Sequence, residues 1–172
     1  SAMDSFTIDP LLAYSQHSAD ATPVPGQFRW DLRQSSENAR RTNPDEDITF
    51  ADLARPATQP PLGSLDITCG IFPGEWPIKI RRPEGITVSD VLEGIRTALL
   101  QRISHTEYTA YPENQKQRIA DVFNSRWLAA PDPTACRQNG VLRLDCLLYH
   151  TMFAGLSVSP DNPRSCILTL RR

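Results

Sequence analysis

The stretch from Leu65 to Arg102 leaves this chain the fewest choices. Leu65, Ile67 and Cys69 alternate with Asp66 and Thr68, the period-two pattern of a strand with one dry and one wet face. The turn residues of Gly70-Ile71-Phe72-Pro73-Gly74 interrupt it. A second run then sets Trp76, Ile78 and Ile80 against Pro77, Lys79 and Arg81, so the pattern predicts a β-hairpin over 65–82. Pro77 lacks an N–H, which places the second strand's start there or puts that strand at a sheet edge. A helix follows at once, with Thr87 as N-cap, Asp90 three residues on, and Ile86 placed to staple onto Val91. Val88, Val91, Leu92, Ile95 and Leu99 form its inward stripe, and the expected helix covers 88–102. Burying each of these side chains contributes about 1.5–3 kcal/mol before chain entropy is subtracted. Gly94 costs about 1 kcal/mol relative to alanine in mid-helix and marks a close approach by a neighbouring element. Periodicity of this kind reports burial, so the segment reads as scaffold.

Downstream, Ser104-His105-Thr106-Glu107 matches a capping box and opens a short helix over 105–110. Pro112 suits the first turn of a longer helix, 112–129, with Ile119, Val122, Phe123 and Trp127 as its apolar stripe and an end before Pro131-Asp132-Pro133. Strands return at 141–148, where Leu142, Leu144, Cys146 and Leu148 face in and Arg143 and Asp145 face out. Further strands are expected at 152–158 and, past Pro160-Asp161-Asn162-Pro163, at 166–170. Strands, then helices, then strands again imply an α+β fold: a small, mainly antiparallel sheet of about five strands packed on two or three helices.

At 172 residues the chain is long enough for one self-sufficient domain, placed at 29–172. Residues 1–28 read as a tag remainder, Ser1-Ala2-Met3, and an extended region punctuated by Pro10, Pro23 and Pro25 and tied down by Phe28, Trp30 and Leu32. Residues 33–47 hold no large apolar side chain, cannot offset the entropy of their own ordering, and are expected to form a mobile loop.

Chemistry is sparse. Cys69, Cys146 and Cys166 fall in phase with core leucines and isoleucines, so they read as buried, reduced thiols; Cys136 is the one candidate for reactivity. With no C-x-x-C pair and no closely spaced histidines, no metal site is expected, and without a glycine-rich phosphate loop no cofactor is either. His17, His105 and His150 are scattered, and Asp45-Glu46-Asp47 reads as a solvated acidic run rather than a poised acid and base. No catalytic residue is assigned, although a small-substrate site built from His105, His150, Cys136 and Asp145 in some combination is retained as the least favoured reading. No apolar run approaches a membrane span and no secretory segment is present, so the expectation is an intracellular protein, cytoplasmic or nuclear, with no membrane partner.

The net charge of −2 does not suggest nucleic acid, but the basic residues are skewed to sixteen arginines against two lysines. A genome rich in G and C explains that skew without function; alternatively, Arg81-Arg82 and Arg171-Arg172 build an anion-binding patch, nucleic acid included.

Trp30-Asp31-Leu32-Arg33, Ala57-Thr58-Gln59-Pro60-Pro61-Leu62, Trp76-Pro77-Ile78 and Ile86 through Leu92 occur in that order, followed by Glu107-Tyr108, Arg143 through Leu147 and Phe153-Ala154-Gly155-Leu156-Ser157. Over about residues 30–170 the chain resembles an uncharacterised domain, a domain of unknown function, abundant in mushroom-forming fungi. The resemblance implies a fungal, non-secreted origin and supplies no activity, cofactor or site residue. The residues themselves favour a non-catalytic protein-interaction module that self-associates or serves as an adaptor, with Trp30, Trp76 and Ile78 as interface residues near an open sheet edge.

Overall fold

The computed structural model describes residues 5–14, 27–42, 44–73 and 76–172. Ser1-Ala2-Met3, His17, Pro23, Pro25 and Gly74, all named above, lie outside the described residues. In chain order the elements are β1 (Thr7–Ile8), β2 (Gln27–Arg29), β3 (Arg40–Thr42), β4 (Glu46–Asp47), α1 (Phe50–Ala54), β5 (Thr58–Gln59), β6 (Ser64–Cys69) and β7 (Ile78–Arg81). They continue with α2 (Val88–Leu99), α3 (His105–Thr109), α4 (Glu113–Leu128), α5 (Pro133–Gln138), β8 (Met152–Val158) and β9 (Ser165–Arg171), and 3-10 turns occupy Ser36–Asn38 and Arg143–Leu147. Among the described residues the fold is therefore α+β with nine strands in three sheets and five helices, not a single sheet of about five strands. The chain forms two compact units, one of Ser1–Arg96 with His150–Arg172 and one of Thr97–Tyr149. No helix among the described residues is long and apolar enough to cross a membrane.

In the first unit the main sheet runs β7-β6-β9-β8, with β6 and β9 parallel and the other two pairs antiparallel. Alternation decides which face is dry: Leu65, Ile67, Ile78, Ile80, Cys166 and Leu168 are all buried, while Thr68, Lys79 and Arg81 are exposed. The hairpin pairs Leu65 with Ile80 and Ile67 with Ile78, and β7 starts directly after Pro77 and lies at the sheet edge. Trp76 lies ahead of β7 rather than in it, its ring edge-on to Phe72 at 5.3 Å. Helix α2 opens with the expected capping box: the Asp90 N–H donates to Thr87 Oγ1 (3.2 Å) and the Thr87 N–H to Asp90 Oδ2 (2.9 Å). A Cβ on Gly94 would lie 2.9 Å from Ile80 Cγ1, so the helix meets the sheet at β7 through that glycine. The helix stops at Leu99, three residues short of the expected end.

The stretch 33–47, read from composition as a mobile loop, carries the 3-10 turn, β3 and β4. Here β2, β3 and β4 form an antiparallel sheet, in which hydrogen-bonded arginine–carboxylate pairs such as Arg40–Asp45 (2.6 Å) order β3 and its turn while Phe28 of β2 is buried. Phe28, Trp30 and Phe153 form a ring cluster, with the Phe28 and Phe153 centroids 5.3 Å apart and perpendicular.

In the second unit, Ser104 and Glu107 form the expected capping box on α3, and α4 starts after Pro112. Asp132 then caps α5, with Pro133 in its first turn, so the Pro-Asp-Pro break that ends α4 also starts a helix. The expected strand 141–148 is absent. Residues Leu144, Asp145, Cys146 and Leu147 are buried in succession, which a one-faced strand cannot do, and they form the 3-10 turn. Its cause is Asp145: the carboxylate bends back to accept the Leu142 N–H (2.9 Å), a capping contact that curls the backbone.

Candidate functional site

Trp30, Trp76 and Ile78 are interior residues, 1, 3 and 3% exposed. Their side chains already fill the first unit's core, so they offer no surface to a partner. Arg81 donates to Asp66 (2.7 Å) and to the Ile80 carbonyl (2.9 Å), and Arg82 pairs with Asp90 (2.9 Å). Arg171 is half-buried and Arg172 exposed. Register separates the two arginine pairs: Arg81 sits opposite Ser64, before the Asp66–Ser165 pairing, whereas Arg171 lies well past Ser165 on β9. About eight residues of strand, roughly 26 Å, lie between those levels. The four arginines do not converge on one patch.

The residues weighed for catalysis come together only in part. Arg126, which no local motif announces, binds Asp145 with two nearly parallel contacts, Nε to Oδ1 (2.7 Å) and Nη2 to Oδ2 (2.9 Å). The same guanidinium lies 3.1 Å from Cys136 Sγ through Nη1 and donates to the Gly140 carbonyl (3.1 Å). Asp145 is fully buried, and its hydrogen bond raises the Arg126 pKa above the usual guanidinium range. The network is closed: each carboxylate oxygen is occupied, so it fixes the fold of the unit and leaves no base to act on a substrate. His105 and His150 are both exposed. Burial pushes the Cys146 and Cys166 thiols up to about 12 and raises Cys69, which makes all three poor nucleophiles; Cys136 is half-buried and free. Among the described residues no three His, Cys, Asp or Glu side chains gather to hold a metal ion.

The surface with the clearest recognition chemistry lies where α4 ends and α5 begins. There the Arg137 guanidinium stacks 5.0 Å over the Trp127 ring, and the indole N–H donates to Asn124 Oδ1 (2.9 Å). Trp127, Pro133, Thr134, Arg137 and Gln138 line an open depression of about 440 Å³. Next to Trp127 in the chain, Leu128 is 63% exposed. Arg137 has no carboxylate partner among the described residues, unlike Arg81, Arg82 and Arg126. Reading 112–129 as an amphipathic helix assigned Trp127 to the apolar stripe; the missing signal was that Pro133 opens a further helix and brings Arg137 onto the indole.

A polar depression of about 270 Å³ in the first unit, lined by Arg29, Asp31, Gln34, Asn38, Arg40, Asp45 and Met152, is internally compensated. Asp31 is bound by Arg33 (2.6 Å), and Arg40 by Asp45.

A family model described as a family of unknown function, DUF6699, matches residues 28–164. No curated protein and no solved structure matches the chain.

Proposed function

We propose a function for this chain, which belongs to the DUF6699 family of unknown function, from its own surfaces: it is a non-catalytic protein-interaction module that docks a partner segment on the Trp127–Arg137 surface. The observation that carries this reading is the arginine stacked on a half-exposed indole with its N–H edge unclaimed by any carboxylate among the described residues. Tryptophan and arginine are the residue types that dominate binding energy at interfaces, and a stacked guanidinium is already oriented, so little entropy is lost when it binds. Such a surface fits an extended segment with an acidic side chain beside a proline or aliphatic residue. The carboxylate meets Arg137 and the apolar group lies on Trp127 and Leu128.

Selection of a displayed library of short random peptides against the full chain tests this. Enriched peptides should share an acidic residue next to an apolar one. Trp127→Ala should weaken them about 30-fold, the effect of losing roughly 2 kcal/mol at a hot spot. Peptides without acidic residues, or binding unchanged by Trp127→Ala, would overturn the reading.

The competing reading is anion or nucleic-acid binding through Arg81, Arg82, Arg171 and Arg172. It is weakened by the carboxylates that already hold Arg81 and Arg82. Retention on heparin that falls steeply with salt would favour it instead.

A further inference from the structure

Ion pairing compensates the polar depression of the first unit at every charge except Arg29. Register puts Arg29 of β2 directly opposite Arg40 of β3, and Arg40 opposite Asp47 of β4, so the three side chains form one row across the sheet. Arg40 takes two acids: its Nε donates to Asp45 (2.6 Å) and its Nη1 to Asp47 (2.5 Å). Asp31, two residues on from Arg29, is held by Arg33 (2.6 Å). Among the described residues Arg29 is thus left without a carboxylate and with a second arginine across the strand pair, an arrangement that costs stability.

The depression beside it is fixed in shape and rich in donors. The buried Trp30 anchors its rim, since the indole N–H donates to the Gln34 carbonyl (3.1 Å). Ser35 then caps the 3-10 turn by accepting the Glu37 N–H (3.3 Å), and the Asn38 N–H closes onto the Ser35 carbonyl (3.0 Å). These bonds hold Gln34 and Asn38 in the lining, where their side-chain amides have no hydrogen-bond partner among the described residues. Asp31 pairs with Met152, which pairs in turn with Arg171. Arg171 is half-buried, and its buried Nε has no partner among the described residues either, so a further cation stands beyond Met152.

We infer that this depression is a binding site for a small phosphorylated polyol, with the phosphate monoester on Arg29, Gln34 and Asn38. Phosphate fits the donors better than a carboxylate does. A guanidinium fork and two amides exceed the two oxygens of a carboxylate and match the three terminal oxygens of a monoester. A dianion between Arg29 and Arg40 also replaces their repulsion with attraction to a shared partner. Asp31 and Asp45, each fixed by its own arginine, keep acceptor capacity for the ligand's hydroxyl groups. The volume of about 270 Å³ lies at the small end of ligand pockets and suits a few carbons beyond the phosphate. First-unit residues alone build the site, so it does not depend on the Trp127–Arg137 reading.

Titration of the full chain with glycerol 3-phosphate, followed by backbone and arginine side-chain NMR signals, tests it. Saturable shifts should centre on Arg29, Gln34, Asn38 and Arg40. Arg29→Gln should weaken binding at least about tenfold, the effect of losing a charge-assisted hydrogen-bonding partner. Inorganic phosphate should bind at least about threefold more weakly than glycerol 3-phosphate, because it offers Asp31 and Asp45 no hydroxyl. In phosphate-free buffer Arg29→Gln should melt no lower than wild type, since it relieves a like-charge contact. Asn38→Asp, which sets a carboxylate in the lining, should abolish binding and supplies the readout if Arg29→Gln misfolds. The absence of saturable shifts, binding that survives these variants, equal affinity for inorganic phosphate, or a folded Arg29→Gln that melts lower would overturn the proposal.

Discussion

Two alternating runs, Leu65 to Cys69 and Leu142 to Leu148, share a pattern and fold differently. Each sets an aspartate among apolar residues, and each aspartate ends 2.7 Å from an arginine nitrogen, Asp66 from Arg81 and Asp145 from Arg126. The difference is water. The Asp66 side chain is 41% exposed and Arg81 50%, so that run keeps a wet face and becomes a strand. The Asp145 side chain is 0% exposed, its run has no wet face, and the carboxylate satisfies itself on Arg126 and the Leu142 N–H by curling the backbone. Alternation therefore specifies a strand only when the intervening polar side chain can reach solvent.

The largest test of this contrast is to remove each arginine. Arg126→Met should lower unfolding free energy in urea by about 3–5 kcal/mol, because Asp145 is left buried without its counter-charge. Arg81→Met should cost at most about 1 kcal/mol, since water replaces the lost partner. The strand side can be broken by packing instead: Gly94→Val pushes into Ile80 and should destabilise by about 1–3 kcal/mol, read from the same urea curves.

A smaller effect follows from pH. Burial alone would raise the Asp52 pKa, but hydrogen bonds from Arg41 and from the Thr49 N–H and hydroxyl outweigh it and take it down to about 2. A carboxyl held below its unfolded value of 3.8 contributes its full stability above that value and loses it as pH falls towards 2. Asp52→Asn should therefore flatten the fall in melting temperature across that acid window. The smallest expected effect is in thiol chemistry. At pH 8 a thiol reagent should label Cys136 first and leave Cys69 and Cys146 slow, one in each of the two runs, because burial is common to both even though backbone geometry is not.

Much of the first unit was legible in the sequence. The 65–81 hairpin, the Thr87–Asp90 cap and the close approach at Gly94 are local events, each set by residues a few positions apart. The sheet of β2, β3 and β4 was not legible, because Arg40 and Arg41 are ordered by carboxylates rather than by an apolar stripe. Nor was the Asp9–Arg55 pair, since the two residues are 46 positions apart and nothing local links them. The proposed recognition surface was half visible: Trp127 was singled out as apolar, but Arg137 reaches it only through α5, which the Pro-Asp-Pro break concealed. Trp30 and Trp76 were expected at an interface because large aromatics favour that role, yet each also suits a core, and the core contains both.

A pair of double-mutant cycles measures the contrast between the two runs most directly. Coupling between Arg126 and Asp145, from the two single variants and the double variant, should be about 2–3 kcal/mol, and that between Arg81 and Asp66 should stay below about 1 kcal/mol. Equal couplings would contradict the claim that exposure of the intervening aspartate decides whether such a run becomes a strand or a turn.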